Sequence, residues 1–471
     1  MERYGEQYLE ERKLVKRWPG PIPAIVSLAL TLAVFYLTWW IFQDPRGIMR
    51  MYTPYIGYMY CRWWLIMMIW MVYIFNFWPF KRKWLETTHP LIKGTVLTLV
   101  SVVILLALIK GFFEGFLGNY GLAYFNPEQL EKLEGVTSFF AGEYSALAIL
   151  MFAAIASWLS PAWVVAMENA PWRKLSQPAR GFSILVVTFF LSTVIYFVTM
   201  HPHMGILYHP WQYFTSIAPP YWEQFADTVS GNFHVSWIMC CTVVVWLVET
   251  IWQRYPFNLI KHNWARRFAA FFGIILIALA MHFFLYFAQE LTWGEAIRGT
   301  RRGFAPDWRW LHVGEMAIFF LVPALFLTFY CGNWPKKFSM PVNVAVRTLI
   351  SLAGAVILYI VYYKVSHLFL GTQKGFSHPQ QFPMIPMIWL INIWLAHHWF
   401  MDNWPAWKMV PKTAAEIEED HSAFQAQLDA VRLTPRFLTG ACAGLAMGVL
   451  FYAVTVWTLP GIYQAIDIIP K

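Results

Sequence analysis

The chain has 471 residues, 58% hydrophobic and 13% charged, about half the charged share of an ordinary soluble domain. That balance excludes a soluble globular domain and points to a polytopic membrane protein. The net charge of +9 does not indicate nucleic-acid binding, because in so apolar a chain an excess of Lys and Arg reports how loops are shared between the two sides of a bilayer.

Residues 1–20 are polar and charged, without the apolar core of a cleavable signal peptide. They read as a cytoplasmic lead-in, either a solvated tail or a short amphipathic helix with Tyr4, Tyr8, Leu9 and Leu14 on one side. Apolar runs then predict eleven transmembrane helices, at 22–42, 57–78, 91–112, 144–167, 181–200, 233–252, 268–289, 312–331, 346–369, 384–401 and 437–459. The expected fold is an all-α bundle over 21–401, a cytoplasmic amphipathic connection at 402–436, a final span at 437–459 and an external tail at 460–471. Trp and Tyr crowd the ends of the runs, as interfacial belts do, so many of the 27 Trp need no functional role.

Of the 35 basic residues, 23 fall in the segments that share a side with the N-terminus. The positive-inside rule then puts the N-terminus in the cytoplasm and, after eleven crossings, the C-terminus outside, in a plasma membrane of the bacterial inner-membrane kind. On the same side a phrase recurs, beginning with Trp18-Pro19 and continuing as "NFWPFK", "ENAPWRK", "QRYPFN", "GNWPKK" and "DNWPAWK", so that its prolines are Pro19, Pro79, Pro171, Pro256, Pro335 and Pro405. Each interval between them holds one outward and one inward span, which predicts five tandem helix hairpins followed by a single helix. Pro cannot continue the preceding helix, Asn76, Asn169, Asn333 and Asn403 suit a helix C-terminus, and Trp anchors at the headgroups. The phrase is therefore expected to stop and anchor helices rather than bind a ligand.

Charges inside spans are costly and point to function. Arg62, Glu249, His282, Glu290, Glu315 and Lys364 are the candidate pathway residues. His201, His203, His209, His234, His282, His312 and His367 gather toward the external side, where imidazoles are able to ligate haem, copper or iron, although no HExxH or comparable spacing appears. The loops 201–232 and 290–311 offer a surface for an external protein partner, the second with Arg298, Arg301, Arg302 and Arg309 among aromatic residues. In the last helix Gly440, Gly444 and Gly448 form one small-residue face suited to close packing, internally or in an oligomer. The five cysteines follow no disulfide or metal pattern and read as small packing residues.

No nucleotide-binding, nucleophile-elbow or haem-attachment motif is present. The expected function is a transporter or permease for a small solute of the amino-acid or organic-anion class, which requires no cofactor. Two other readings stand beside it: a membrane subunit of a haem- or metal-dependent redox enzyme, and a membrane scaffold for proteins or pigments.

Overall fold

The computed structural model describes residues 12–53, 55–120, 122–199, 231–292, 306–371 and 383–413. Its principal helices are α1 (Ile22–Gln43), α2 (Ile56–Ile69, continued by a π-helical stretch Trp70–Ile74), α3 (Pro90–Tyr120), α4 (Ser138–Val165) and α5 (Ala179–Thr199). They continue with α6 (Gly231–Glu249), α7 (Asn263–Thr292), α8 (Pro306–Phe329), α9 (Met340–Phe369) and α10 (Met384–Leu395, continued by Ala396–Phe400). A helix thus occupies each of the first ten predicted segments, while the predicted span 437–459, with Gly440, Gly444, Gly448 and Cys442, lies outside the described residues. Seven of the helices are long and apolar enough to cross a membrane: α1, α3, α4, α5, α7, α8 and α9. The protein is an all-α membrane protein.

Burial alternates along the chain. The apolar spans of α1, α3, α5, α7 and α9 are 22, 28, 33, 28 and 17% buried, whereas those of α4 and α8 are 94 and 67% buried. α2, α6 and α10 are buried on almost every side as well. The even-numbered helices form a closed ring, α2 against α4, α4 against α6, α6 against α8, α8 against α10, and α10 back against α2. The odd-numbered helices lie outside it, each against a central helix that precedes it around the ring: α3 on α2, α5 on α4, α7 on α6, α9 on α8 and α1 on α10.

The outer helices bury one stripe only. In α1 that stripe is Pro23, Ser27, Thr31 and Phe35; in α3 it includes Lys93, Leu97, Ser101 and Leu105. Four-residue spacing keeps these positions on one face, and small hydroxyl residues let two backbones approach closely. Central indoles bond to them: Trp394 Nε1 donates to Thr31 Oγ1 at 3.0 Å and Trp64 Nε1 to Ser101 Oγ at 2.9 Å. The opposite face exposes Val103, Val186, Phe190, Phe284 and Leu349, each more than 60% accessible. So continuous an apolar exterior is incompatible with water and fits lipid.

Each central helix ends in the same joint. Two successive residues take left-handed conformation: Asn76–Phe77, Glu168–Asn169, Gln253–Arg254, Gly332–Asn333 and Asp402–Asn403. Asn and Gly tolerate this region better than other residues, which accounts for the Asn of the recurring phrase. The second residue of each pair returns its N–H to the carbonyl six residues back, Phe77 to Met71, Asn169 to Trp163, Arg254 to Val248, Asn333 to Leu327 and Asn403 to His397, at 2.7–3.2 Å. Otherwise orphaned terminal carbonyls are thereby satisfied. The bond before each of Pro79, Pro171, Pro256, Pro335 and Pro405 is cis.

The joint is also where neighbouring units lock together. Near the start of α3, buried Lys93 pairs with Asp402 at 2.6 Å. Arg266 and Arg267 of α7 grip Glu168 at 2.6 and 3.3 Å. Arg347 of α9 donates to Gln253 Oε1 at 3.0 Å and to the carbonyls of Ile251 and Pro335. In each case an outer-helix cation reaches the first left-handed residue of the joint one position back around the ring. Joints are linked directly too: Asn403 Nδ2 donates to Phe329 O at 2.8 Å and Asn333 Nδ2 to Thr250 O at 3.2 Å.

The ring closes through two short strands. β1 (Arg12–Lys16) pairs antiparallel with β2 (Trp407–Pro411), with Leu14 opposite Met409. Part of the expected lead-in helix or tail is therefore a strand, because its hydrogen-bonding partner lies almost the whole chain away, beyond any local pattern. The strand pair holds α1 beside α10, where every other central helix is tied to its outer neighbour by a covalent joint.

Lys93→Met should cost roughly 3–5 kcal/mol, since it leaves the Asp402 carboxylate buried without a cation. Thermal unfolding in detergent should show most of that loss recovered in the double variant Lys93→Met/Asp402→Asn. Burial alone would raise the Glu168 pKa, but Arg266, Arg267 and Arg173 outweigh it and hold the carboxylate below its ordinary 4.5. A depressed folded-state pKa gives stability that is complete above the ordinary value and is lost as pH falls through the folded one. The wild-type melting temperature should therefore drop below about pH 4.5 more steeply than that of Glu168→Gln, which should start roughly 1–3 kcal/mol less stable.

Candidate functional site at the ring axis

Where α2, α6, α8 and α10 face one another they leave a cavity of about 10 Å³, room for one water molecule. Its wall is apolar, from aliphatic residues such as Leu65, Met239, Ile318 and Ile391 and from the indole of Trp246, and is broken by Arg62 and Thr242. Measured from the joints, the lining residues lie about 12–22 Å along their helices, which brackets the middle of a bilayer core about 30 Å thick.

Arg62 is 1% exposed. Its Nε and Nη2 donate to Ser157 Oγ of α4 at 3.1 and 2.5 Å, and Nη2 also meets Thr242 Oγ1 of α6 at 3.5 Å. Both hydroxyls spend their own protons on their helix backbones, Ser157 on Ala154 O and Thr242 on Ile238 O. Each therefore presents lone pairs to the guanidinium. Among the described residues no carboxylate forms an ion pair with Arg62.

Away from the joints, the next layer is Tyr58 on α2, one turn from Arg62, and Glu315 on α8, one turn from Ile318. Tyr58 lies within electrostatic reach of both Arg62 and Glu315. Glu315, 1% exposed, contacts His312 Nδ1 through Oε2, while its Oε1 has no hydrogen-bond partner among the described residues. Tyr359, Tyr362 and Tyr363 of α9 stand close enough to feel its charge.

The remaining candidates separate. His282 is fully buried, stacked on Trp310 at 4.6 Å with its Nδ1 3.4 Å from Ser236 Oγ, and His234 lies near it. Glu249 pairs locally with Arg254 at 2.9 Å, at the joint end of α6. Lys364 and His367 are exposed on outer helix α9, away from the axis. His201, His203 and His209, and the side chain of Glu290, lie outside the described residues, as does most of the candidate partner surface at 201–232 and 290–311. Among the described residues no three His, Cys, Asp or Glu side chains come together as a metal-binding group.

The structure brings together Arg62, Glu315 and His312 with residues that sequence reading did not single out: Tyr58, Ser157, Thr242 and the three tyrosines of α9. A Ser or Thr in an apolar span gives no local signal, since its hydroxyl is satisfied by its own helix in most settings. No protein-family model, curated protein or solved structure matches the chain significantly.

Ser157→Ala removes both short hydrogen bonds of the guanidinium and should cost roughly 1.5–3 kcal/mol in detergent unfolding. Thr242→Val, losing only the 3.5 Å contact, should cost under about 1 kcal/mol.

Proposed function

We propose that the protein is a transporter or permease for a small solute of the amino-acid or organic-anion class, with its pathway along the axis of the central ring. The observation that carries this reading is Arg62: a permanent cation, fully buried inside the central ring, beside a cavity and held by hydroxyls alone. A charge buried without a carboxylate partner is costly, and a site for an anionic group is an arrangement that offsets the cost. Glu315, Tyr58 and His312 continue the polar column beyond the cavity and serve as further pathway residues.

The five joints, alike in backbone conformation and in their six-residue return bond, support a chain of five tandem hairpins followed by a final single helix. With eleven crossings and the basic joint face in the cytoplasm, the N-terminus is cytoplasmic and the C-terminus external, in a bacterial inner membrane. The redox reading retains one supporting observation, the buried His282 whose Nε2 has no hydrogen-bond partner among the described residues. A Soret band or stoichiometric iron or copper in the purified protein decides for it.

Proteoliposomes loaded with buffer and offered labelled glycine, glutamate, acetate and succinate should accumulate at least one of them. Arg62→Met should reduce that uptake at least tenfold and Lys364→Met, on the outer surface, should leave it within a factor of two. Uptake of none, or uptake indifferent to Arg62, overturns the reading. For topology, a cysteine at the exposed position Lys337 should be reached by an impermeant maleimide only from the cytoplasmic side, and one at Glu131 only from outside.

A further inference from the structure

We propose that the axial cavity is a binding site for a small monovalent anion of the halide class, coordinated by the Arg62 guanidinium. Four observations carry this. Arg62 remains charged in any protein environment, so burial cannot be relieved by loss of its proton. Ser157, Thr242 and Tyr58 solvate it only as dipoles, and no carboxylate of the described residues pairs with it. Apart from Arg62 and Thr242 the cavity is lined by apolar side chains, Trp246 among them, and by no carboxylate. Its volume is small, about 10 Å³, so of the common anions a halide enters with the least displacement of the lining side chains, and a phosphate or sulfate with far more.

The energetic reason is the cost of a buried charge with no carboxylate partner, which exceeds what neutral hydroxyls return. An anion seated against the guanidinium converts that cost into a paired, hydrogen-bonded contact in a low-dielectric setting, where Coulomb attraction is strong. Apolar walls then favour a weakly hydrated ion, because among the lining side chains only Arg62, Thr242 and the indole of Trp246 carry polar groups to replace its water. The site goes beyond the transporter reading and does not depend on it: a halide held at the axis is measurable whether or not any solute crosses.

The test uses the full-length protein in detergent, exchanged into sodium gluconate and titrated with sodium chloride or sodium bromide at constant ionic strength. Wild type should gain a saturable rise of several degrees in melting temperature with either halide, and none with sulfate. Arg62→Met should show no halide-dependent rise. In gluconate it should melt no lower than wild type, since an apolar side chain of similar length removes the unpaired charge and leaves both hydroxyls bonded to their helices. Bromide difference density should appear beside Arg62 in wild type, a readout that stands even where the variant does not fold. A rise of equal size in sulfate, a rise retained in Arg62→Met, or bromide density absent from the cavity overturns the site. Halide binding without solute uptake would sink the transporter reading and leave the anion site in place; uptake without halide binding does the reverse.

Discussion

The architecture depends on the joint that ends each central helix. The last carbonyls of a helix have no partner within the helix and must find a donor beyond it. Here the chain turns through two left-handed residues and folds one N–H back across six residues, so the carbonyls are closed off within a single turn. In three of the five joints the first residue, Asp402, Glu168 or Gln253, also offers the side chain that Lys93, Arg266 and Arg347 respectively seize. One backbone device therefore both terminates a helix and offers the handle by which the next unit is attached.

Closure of the ring follows from the same device with one link missing. Five central helices need five outer helices beside them, yet the last central helix, α10, has no covalently following partner among the described residues; its place is taken by α1, from the opposite end of the chain. A covalent joint is replaced there by the β1–β2 ladder, reinforced where Arg17 N–H meets Ala406 O at 3.1 Å and Arg12 meets Met409 O at 3.0 Å. The substitution explains why a five-residue strand exists in an otherwise helical protein: it supplies to α10 and α1 the proximity that the joint supplies elsewhere.

Helix positions were legible in the sequence because length and apolarity are local properties, as the first ten segments show. The joints were legible too, through Asn at 76, 169, 333 and 403 and Pro shortly after. What a linear reading could not separate was inner from outer helices: α4 and α9 are both long and apolar, and only small residues such as Ala146, Ala153 and Ala156 distinguish the first as surrounded by protein. Nor could it tell a topological charge from a structural one. Lys93, Arg266, Arg267 and Arg347 all counted toward the basic bias of one face, and all proved to be ion-pair or hydrogen-bond donors in the joints. For Arg62 the residue was evident and its partners were not, since Ser157 and Thr242 lie 95 and 180 positions away.

The latch cations give the standard against which Arg62 stands out. Lys93 has a carboxylate at 2.6 Å, and Arg266 and Arg267 share another. Arg347, without a carboxylate, is met by two backbone carbonyls and an amide oxygen. All three cases sit at the joint end of their helices, where interfacial water and headgroups lower the cost of charge further. Arg62 sits deeper, with weaker acceptors, beside a cavity that four central helices leave unfilled. The fold demonstrates five-fold over how it builds a helix end, and at its joints how it compensates a buried cation; at the axis it leaves one cation undercompensated beside an unfilled volume. A charge and a void in contact are each costly alone, and their coincidence is what an anion of matching size would resolve.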